Sequence, residues 1–322
     1  MPLSRLIGNE LIKSALTRMV DTHTVPSTLL FHGPEGVGKG LFALALAEML
    51  MGPKSHTKIA AHAHPDLHFL RPAGKSATHP IENIRKLLDE AALPPYEAPV
   101  KVFIIESAHQ MLPYSSNALL KILEEPFAHT HFILITPTLD SLLPTIASRC
   151  RKLPFFLIPQ QQIETFIKDT WNKSPQEARR IAFLSHGSLA KAKQLLSAHQ
   201  VPWKEPLLDL LSLHIQRDYP LALKIFSELE TQLTPDEEEG SSLAQADLLL
   251  EEILFWYRDR HLLKEGVATE YLYHLDSLEK LKAVSVPLPP LERLLEQVAT
   301  ARLALQRNVR LKAVLEHFFL NL

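Results

Sequence analysis

The sequence lacks the features that mark secreted, membrane-spanning and disulfide-stabilised proteins. Its 322 residues include a single cysteine, Cys150, which excludes an internal disulfide and any zinc site built from several thiolates. No run approaches the roughly 18 apolar residues that a membrane-spanning helix needs. The N-terminus also lacks the basic flank and apolar core of a secretory signal. We therefore expect a cytoplasmic protein with no membrane partner.

An excess of charge of either sign is also missing. The formal net charge is -2, so no overall basic field would attract the chain to nucleic acid. Basic residues such as Arg85, Lys86 and Lys101 are scattered, and any contact with DNA is expected to be phosphate-based and sensitive to salt. Hydrophobic residues make up 46% and charged residues 22%, which is typical of a globular protein with a substantial core.

The first half of the chain alternates between short apolar runs and segments with helical spacing. Strands are predicted at residues 27–32, 66–70, 100–105 and 131–136. Helices are predicted at residues 11–20, 41–50, 81–92 and 117–123. Such alternation predicts an α/β domain with a parallel sheet covered by helices on both faces.

Beyond Pro154 the pattern becomes helical. Residues 160–196 have helical spacing with breaks near residues 173–175 and 186–188, and the chain is leucine-rich from residue 203 onwards. One apolar stripe is predicted near the C-terminus, formed by Leu291, Leu294, Leu295, Val298, Leu305 and Val309 and extended by Leu315 and Phe318. The acidic run at residues 236–240 is expected to be a loop. We predict three domains, at residues 1–156, 157–202 and 203–322.

A glycine-rich turn lies between the first predicted strand and the helix after it. Its sequence is Gly33-Pro34-Glu35-Gly36-Val37-Gly38-Lys39, a match to the phosphate-loop pattern in its expected context. Gly33, Gly36 and Gly38 would let backbone N–H groups surround phosphates, and Lys39 would reach the outer phosphates. The alternative is a glycine-rich strand-to-helix turn that binds no ligand.

The residues that normally hold the metal depart from the pattern. A working loop continues with Ser or Thr, whose hydroxyl ligates Mg²⁺, but Gly40 occupies that position. At the end of the strand 100–105, Glu106 stands where an Asp usually contacts the metal, and Ser107 is a poor general base. Because the parts of a phosphoryl-transfer site act as a unit, autonomous ATP hydrolysis is not expected.

Seven short segments in fixed order carry a family resemblance. They are Leu6 to Asn9, the phosphate loop, His64-Pro65-Asp66-Leu67-His68, Pro95-Tyr96-Glu97, Lys101 to Ser107, Asn117 to Pro126 and Ser148-Arg149-Cys150. Over roughly residues 5–155 the chain resembles the bacterial DNA polymerase III clamp-loader family of AAA+ ATPases. The resemblance implies a five-stranded parallel AAA+ sheet between helices, a small helical lid and an all-α C-terminal collar domain.

The same resemblance implies roles for individual residues. Arg149 would project into the ATP site of a neighbouring subunit as an arginine finger; a surface arginine is the alternative. Thr136 would be the sensor threonine, although a strand-terminal threonine is also ordinary turn chemistry. The second sensor position falls on Ala190, which cannot contact phosphate, and Lys191 and Lys193 are the nearest cations. Gly40, Glu106 and Thr136 thus complete a vestigial nucleotide site with the phosphate loop.

The resemblance further implies the partners and the biochemical role. The chain would be a structural, non-hydrolysing subunit of the DNA polymerase III clamp loader, not catalytic alone. Its partners would be subunits of the delta and tau/gamma types, the sliding clamp and, through the complex, primer–template DNA. An active AAA+ ATPase and an ATP-binding switch without hydrolysis are the alternatives. ATP or ADP is not required for the structural role.

Zinc is a further point of departure from many relatives. They carry a four-cysteine zinc module where residues 51–63 of this chain contain no cysteine. Four histidines lie nearby, at His56, His62, His64 and His68, but sites built from four histidines are unusual. We therefore expect no metal site.

Overall fold

The apolar runs of the first half of the chain form one parallel sheet. The computed structural model describes residues 3–61, 63–72, 78–197, 202–215, 217–233, 239–284, 287–307 and 309–322. The strands are β1 (Thr28–His32), β2 (Leu67–Leu70), β3 (Lys101–Ile105), β4 (Thr130–Thr136) and β5 (Arg151–Pro154). Their order in the sheet is β2-β3-β4-β1-β5, and all neighbours are parallel. The predicted fold class is confirmed.

Residues alternate between the two faces of this sheet because successive side chains on a strand point in opposite directions. Leu29 and Phe31 pack on one face, whereas Leu30 packs on the other with Phe103 and Phe132. Helices cover both faces, so the central strands are apolar throughout rather than alternating. The edge strand β5 is mostly exposed.

Nine helices of the described chain belong to this half. They are α1 (Glu10–Asp21), α2 (Lys39–Met51), α3 (His56–Ala60), α4 (Ile81–Ala92), α5 (Pro113–Glu124), α6 (Pro144–Ala147), α7 (Gln160–Trp171), α8 (Pro175–Leu184) and α9 (Leu189–Ser197). Short 3-10 helices lie at Leu3–Arg5, Pro53–Ser55 and Ala108–Gln110.

Proline sets the start of several of these helices. Helix α5 begins at Pro113, four residues before the predicted start, because proline lacks an N–H that the first helical turn would leave unpaired. Helices α6 and α8 likewise begin at Pro144 and Pro175. Ser174 also accepts a hydrogen bond from the Glu177 N–H at 3.3 Å, which caps α8.

The C-terminal half is helical throughout its described regular structure. Its helices are α10 (Lys204–Ser212), α11 (Tyr219–Leu233), α12 (Glu239–Lys264), α13 (Leu278–Ala283), α14 (Leu291–Gln306) and α15 (Leu311–Leu320), with 3-10 helices at Thr269–Tyr271 and Leu275–Ser277. The core of this half contains Phe226, Trp256 and Phe318, all fully buried. Among the described helices of the chain, none has the length and apolar character needed to cross a membrane.

Two predictions for the C-terminal half were wrong in part. The apolar stripe is not continuous, because α14 buries Leu294, Val298 and Leu305 but leaves Leu291 and Leu295 about half exposed. Leu315 and Phe318 are buried on the separate helix α15. An acidic loop was predicted at residues 236–240. Residues 236–238 lie outside the described residues, and residues 239 and 240 belong to α12.

The described chain groups into two compact units, Met1–Gln194 and Leu195–Leu322. The first unit contains the sheet together with α7 and α8, which the sequence assigns to a separate small helical domain. The second unit contains α10 to α15. The division into three domains at residues 156 and 202 stays a prediction.

A buried ionic cluster ties together helices of the second unit. His274 donates from Nδ1 to Asp259 and from Nε2 to Glu252, each at 3.1 Å. Lys204 lies 3.0 Å from the same Glu252 oxygen, and Arg258 lies 3.1 Å from Asp259. Burial lowers the pKa of His274, but the hydrogen bonds to the two carboxylates outweigh it, so the pKa is raised. No pattern in the sequence indicated this cluster.

Candidate functional site

A cavity of about 550 Å³ lies at the carboxyl ends of the central strands. Ligands of parallel α/β sheets bind at this edge, and the volume is within the ordinary range of ligand pockets. Its lining combines the phosphate loop with the ends of β2, β3 and β4: Glu35, Gly36, Gly38, Lys39, Gly40, Leu41, Leu44, Phe69, Arg71, Glu106, Ser107, Ile135, Thr136 and Pro137.

Two glycines of the loop lie so close to neighbouring residues that a side chain would not fit. Gly33 and Gly36 have φ values of 140° and 75°, and a Cβ at these positions would lie 2.1 Å from the Phe155 carbonyl oxygen and 2.0 Å from the Ser188 hydroxyl. The N–H of Ala190 also donates to the Gly36 carbonyl at 3.1 Å. The segment that precedes and begins α9 therefore packs directly on the phosphate loop, with Ala190 at the predicted second-sensor position.

Lys39 is buried and turned toward its own loop. Its ammonium donates to the carbonyl oxygens of Gly33 and, at 2.7 Å, Pro34. Burial lowers the pKa of Lys39, while the Glu35 carboxylate opposes that shift. The loop thus holds its lysine at the base of the cavity, at the first turn of α2.

The residues at the metal position do not fit Mg²⁺. Gly40 has no side chain that could ligate a metal ion. A Cβ added at this position would lie 3.9 Å from Glu106 Oε1, its nearest heavy atom. Arg71 Nε donates to Glu106 Oε2 at 3.1 Å, so a guanidinium already neutralises the carboxylate at the end of β3. Mg²⁺ demands near-octahedral oxygen ligation. One carboxylate held in an ion pair, beside a glycine, does not supply it.

His79 fixes the backbone at the end of β3. Its Nε2 donates to the carbonyl oxygens of Glu106 at 2.8 Å and Ser107 at 3.2 Å. Burial lowers the pKa of His79, although these hydrogen bonds oppose the shift. Ser107 has a left-handed backbone with φ of 49°. His79 was not identified from the sequence, because 27 residues separate it from Glu106.

Thr136 lines the cavity, but its hydroxyl serves the turn after β4. The hydroxyl donates to the Thr138 carbonyl at 3.1 Å and lies 2.9 Å from the Ser141 hydroxyl. The structure therefore contains the turn chemistry that the sequence offered as an alternative. The sensor role of Thr136 stays a prediction.

Arg149 lies apart from the residues that line the cavity. It follows α6, with its guanidinium 2.6 Å from a Glu124 carboxylate oxygen and donating to the Thr145 carbonyl at 2.9 Å. Its side chain is 36% exposed. The next residue, Cys150, is buried, and burial raises the pKa of its thiol to about 12.

The His-Pro-Asp motif has a structural use. The buried Asp66 carboxylate accepts hydrogen bonds from the N–H groups of Tyr96, Glu97 and Ala98 at 2.6, 2.8 and 2.8 Å. His64 Nδ1 accepts from the Asp66 N–H at 3.1 Å. The motif therefore fixes residues 96–98 to the start of β2.

Lys101 and His64 are each held by a neighbouring side chain. Lys101 was considered a candidate for DNA contact, but it is 2% exposed and its ammonium is bound to Glu90, so it does not contact phosphate from that position. Of the clustered histidines, His62 lies outside the described residues. His64 is engaged with Ser55 at 3.0 Å. Among the described residues no cluster of three metal-binding side chains occurs.

The chain has a phosphate loop between β1 and α2, a five-stranded parallel sheet, and helices α7 to α9 after the sheet. These features define a P-loop protein of the AAA+ class. The family model for "DNA polymerase III, delta subunit" matches residues 8–159. The delta' subunit of Bacillus subtilis (strain 168) is 28% identical over 97% of this chain and 95% of that protein. Over almost its whole length, the chain is therefore similar to a delta' subunit of DNA polymerase III.

Other relatives match a smaller part of their own length. The DNA polymerase III subunit gamma of Buchnera aphidicola is 30% identical over 59% of this chain, which spans 56% of that protein. A gamma subunit-related protein of Thermotoga maritima has a solved structure that covers 92% of this chain and 99% of its own, at 21% identity and a TM-score of 0.44.

Proposed function

We propose that this protein is a structural, non-hydrolysing subunit of the DNA polymerase III clamp loader that donates Arg149 to a neighbouring ATPase subunit. In this role it acts in the cytoplasm and helps to load the sliding clamp onto primed DNA. The observation that carries the proposal is the contrast between the two sites. Its own cavity has a guanidinium beside Glu106 and glycine at position 40, whereas Arg149 is accessible and lies outside that cavity.

The idle site follows from the chemistry of phosphoryl transfer. Hydrolysis needs a metal ion held against the outer phosphates and a group that orients the attacking water. Gly40 supplies no hydroxyl, and the Glu106 carboxylate is paired with Arg71. Ser107 replaces the usual second carboxylate. With both functions absent, the chain would not turn over ATP alone.

The contacts of the Arg149 side chain leave it able to interact with a neighbouring subunit instead. Its ion pair with Glu124 joins side chains that are 36% and 50% exposed, and such pairs contribute about 0–1 kcal/mol. The far larger charge of a triphosphate at an interface would displace that contact. A guanidinium also offers a fixed set of donors, which suits the developing charge on a transferred phosphoryl group.

The second unit offers a surface for assembly. Helix α14 leaves Leu291 and Leu295, one turn apart, each 52% exposed. Exposed leucines on one helix face are suited to burial against another subunit. This supports the proposal that the C-terminal helices form a collar with subunits of the delta and tau/gamma types.

Steady-state ATP hydrolysis by a clamp loader reconstituted with DNA and clamp tests this function. We expect Arg149→Ala to lower the rate, since an arginine finger contributes about 10³–10⁵ at the site it completes. Arg151→Ala, two residues away and exposed, is the matched control. The isolated chain should be inactive. An unchanged rate for Arg149→Ala, in complexes shown to be intact, would refute the proposal.

A second candidate is a subunit that binds a nucleotide without hydrolysing it. The cavity favours it, because the amide-lined loop, the start of α2 and Lys39 are all in place. This role is compatible with donation of Arg149.

A further inference from the structure

The ion pair between Arg71 and Glu106 lies inside the candidate nucleotide cavity. Both residues line it, and Arg71 reaches across from the end of β2 to the carboxylate that follows β3. Arg71 also contacts the ring of Phe69, with its guanidinium carbon 5.5 Å from the ring centroid. Two separate contacts therefore hold the arginine at the lining of the cavity.

This arrangement changes the charge requirement of the cavity. A bare carboxylate beside a bound polyphosphate would repel it, and in an active site the metal ion offsets both charges. Here the guanidinium offsets Glu106 without any metal. The other carboxylate of the lining, Glu35, is exposed, as is the Arg71 side chain at 61%, so solvent screens both charges alike. Lys39 and the N-terminus of α2 then remain to attract phosphate.

We propose that this cavity binds a nucleoside polyphosphate without a divalent cation, with Arg71 in place of that cation. The inference deepens the proposed function and rests on it, because a subunit with this site would hold nucleotide without turning it over. Arg71 is thus a specificity-determining residue that makes binding independent of metal. Gly40 belongs to the same arrangement, since a hydroxyl at that position would have no metal to ligate.

Equilibrium binding of ADP and ATP to the full chain, in EDTA and in excess Mg²⁺, tests the proposal. We expect the two dissociation constants for each nucleotide to agree within about twofold. Arg71→Ala should weaken binding in EDTA by about threefold, because it leaves Glu106 unpaired but removes an ion pair whose side chains are 61% and 33% exposed and hence screened by solvent. In the same variant Mg²⁺ should recover part of the loss. Arg85→Ala, which changes an exposed arginine outside the cavity, should bind like the wild type.

Electron paramagnetic resonance of Mn²⁺ gives an independent readout. With the wild-type chain and ADP, no protein-dependent Mn²⁺ signal should appear beyond that of Mn²⁺–ADP, whereas Arg71→Ala combined with Gly40→Ser should produce one. The proposal is overturned by wild-type binding that needs Mg²⁺, by undiminished binding of Arg71→Ala in EDTA, or by absence of binding in both conditions. None of these binding results changes the loss of hydrolysis that is expected for Arg149→Ala in the complex. The two proposals can therefore be refuted independently of each other.

Discussion

Replacing the buried Asp66 by alanine is expected to destabilise the first unit more than replacing an exposed carboxylate of that unit. The carboxylate is fully buried and accepts three backbone hydrogen bonds, from Tyr96, Glu97 and Ala98. A hydrogen bond to a charged group contributes about 1.5–3 kcal/mol. The three do not add fully, since part of the freed loop can turn to water. We expect a loss of about 3 kcal/mol for Asp66→Ala and about 2 kcal/mol for Asp66→Asn.

The dependence on pH has a definite sign. Burial raises the pKa of Asp66, but the three backbone N–H groups outweigh it, so the pKa lies below its ordinary value of 3.8. The carboxylate therefore stabilises the folded chain above pH 3.8, and the contribution is lost as the pH falls through the folded-state pKa. Asp66→Asn should lack this component of acid destabilisation.

Urea titration read by pulsed hydrogen exchange measures the effect, because it assigns unfolding to peptides of each unit. The amides of residues 96–98 should lose protection in Asp66→Ala before the sheet does. Asp89→Asn, an exposed carboxylate on α4, is the control and should change stability by less than about 0.5 kcal/mol. A cost below about 1 kcal/mol for Asp66→Ala, or an equal cost for the control, would refute the reasoning.

Three further outcomes are expected. Gly40→Ala should raise the free energy of unfolding by about 0.5 kcal/mol, since a Cβ at that position has room. Gly36→Ala should lower the free energy of unfolding, because Gly36 has a φ of 75° and an added Cβ would clash with Ser188. Urea titration measures both changes. His274→Gln should cost about 3 kcal/mol, because it removes the buried cation shared by Glu252 and Asp259 and leaves each carboxylate with only its second basic partner. The wild-type contribution should be full below pH 6.5 and lost as the pH rises through the raised pKa of His274, and tryptophan fluorescence in urea would report it. Cys150, with a thiol pKa of about 12, should react with iodoacetamide at pH 8 roughly 10³-fold more slowly than in the unfolded chain; comparable rates would contradict its burial.

Sequence reasoning succeeded where a pattern is local. The apolar runs that became β1 to β4 are long enough to be identified by composition, and α4 has the predicted bounds because its apolar residues recur at helical spacing. The edge strand β5 was implied only by the family resemblance, since Arg151–Pro154 is polar and mostly exposed. Helices α3 and α6 are too short to show a period.

The contacts that define the cavity could not be read from spacing. Arg71 and Glu106 are 35 residues apart, and they meet only because β2 and β3 are neighbours in the sheet. The same topology brings His79 to the end of β3. Lys101 shows the converse problem, because a lysine at a strand start is usually exposed, whereas this one is buried against Glu90. Long-range pairing of polar side chains therefore becomes visible only in the folded structure.

The most direct test of the central claim compares two variants of this subunit in one reconstituted clamp loader. Lys39→Ala removes the lysine of its own phosphate loop, and Arg149→Ala removes the proposed finger. Steady-state ATP hydrolysis with DNA and clamp should stay within about twofold of wild type for Lys39→Ala and fall severalfold or more for Arg149→Ala. Loss of activity for Lys39→Ala with no loss for Arg149→Ala would contradict the account, since the chain would then be using its own site.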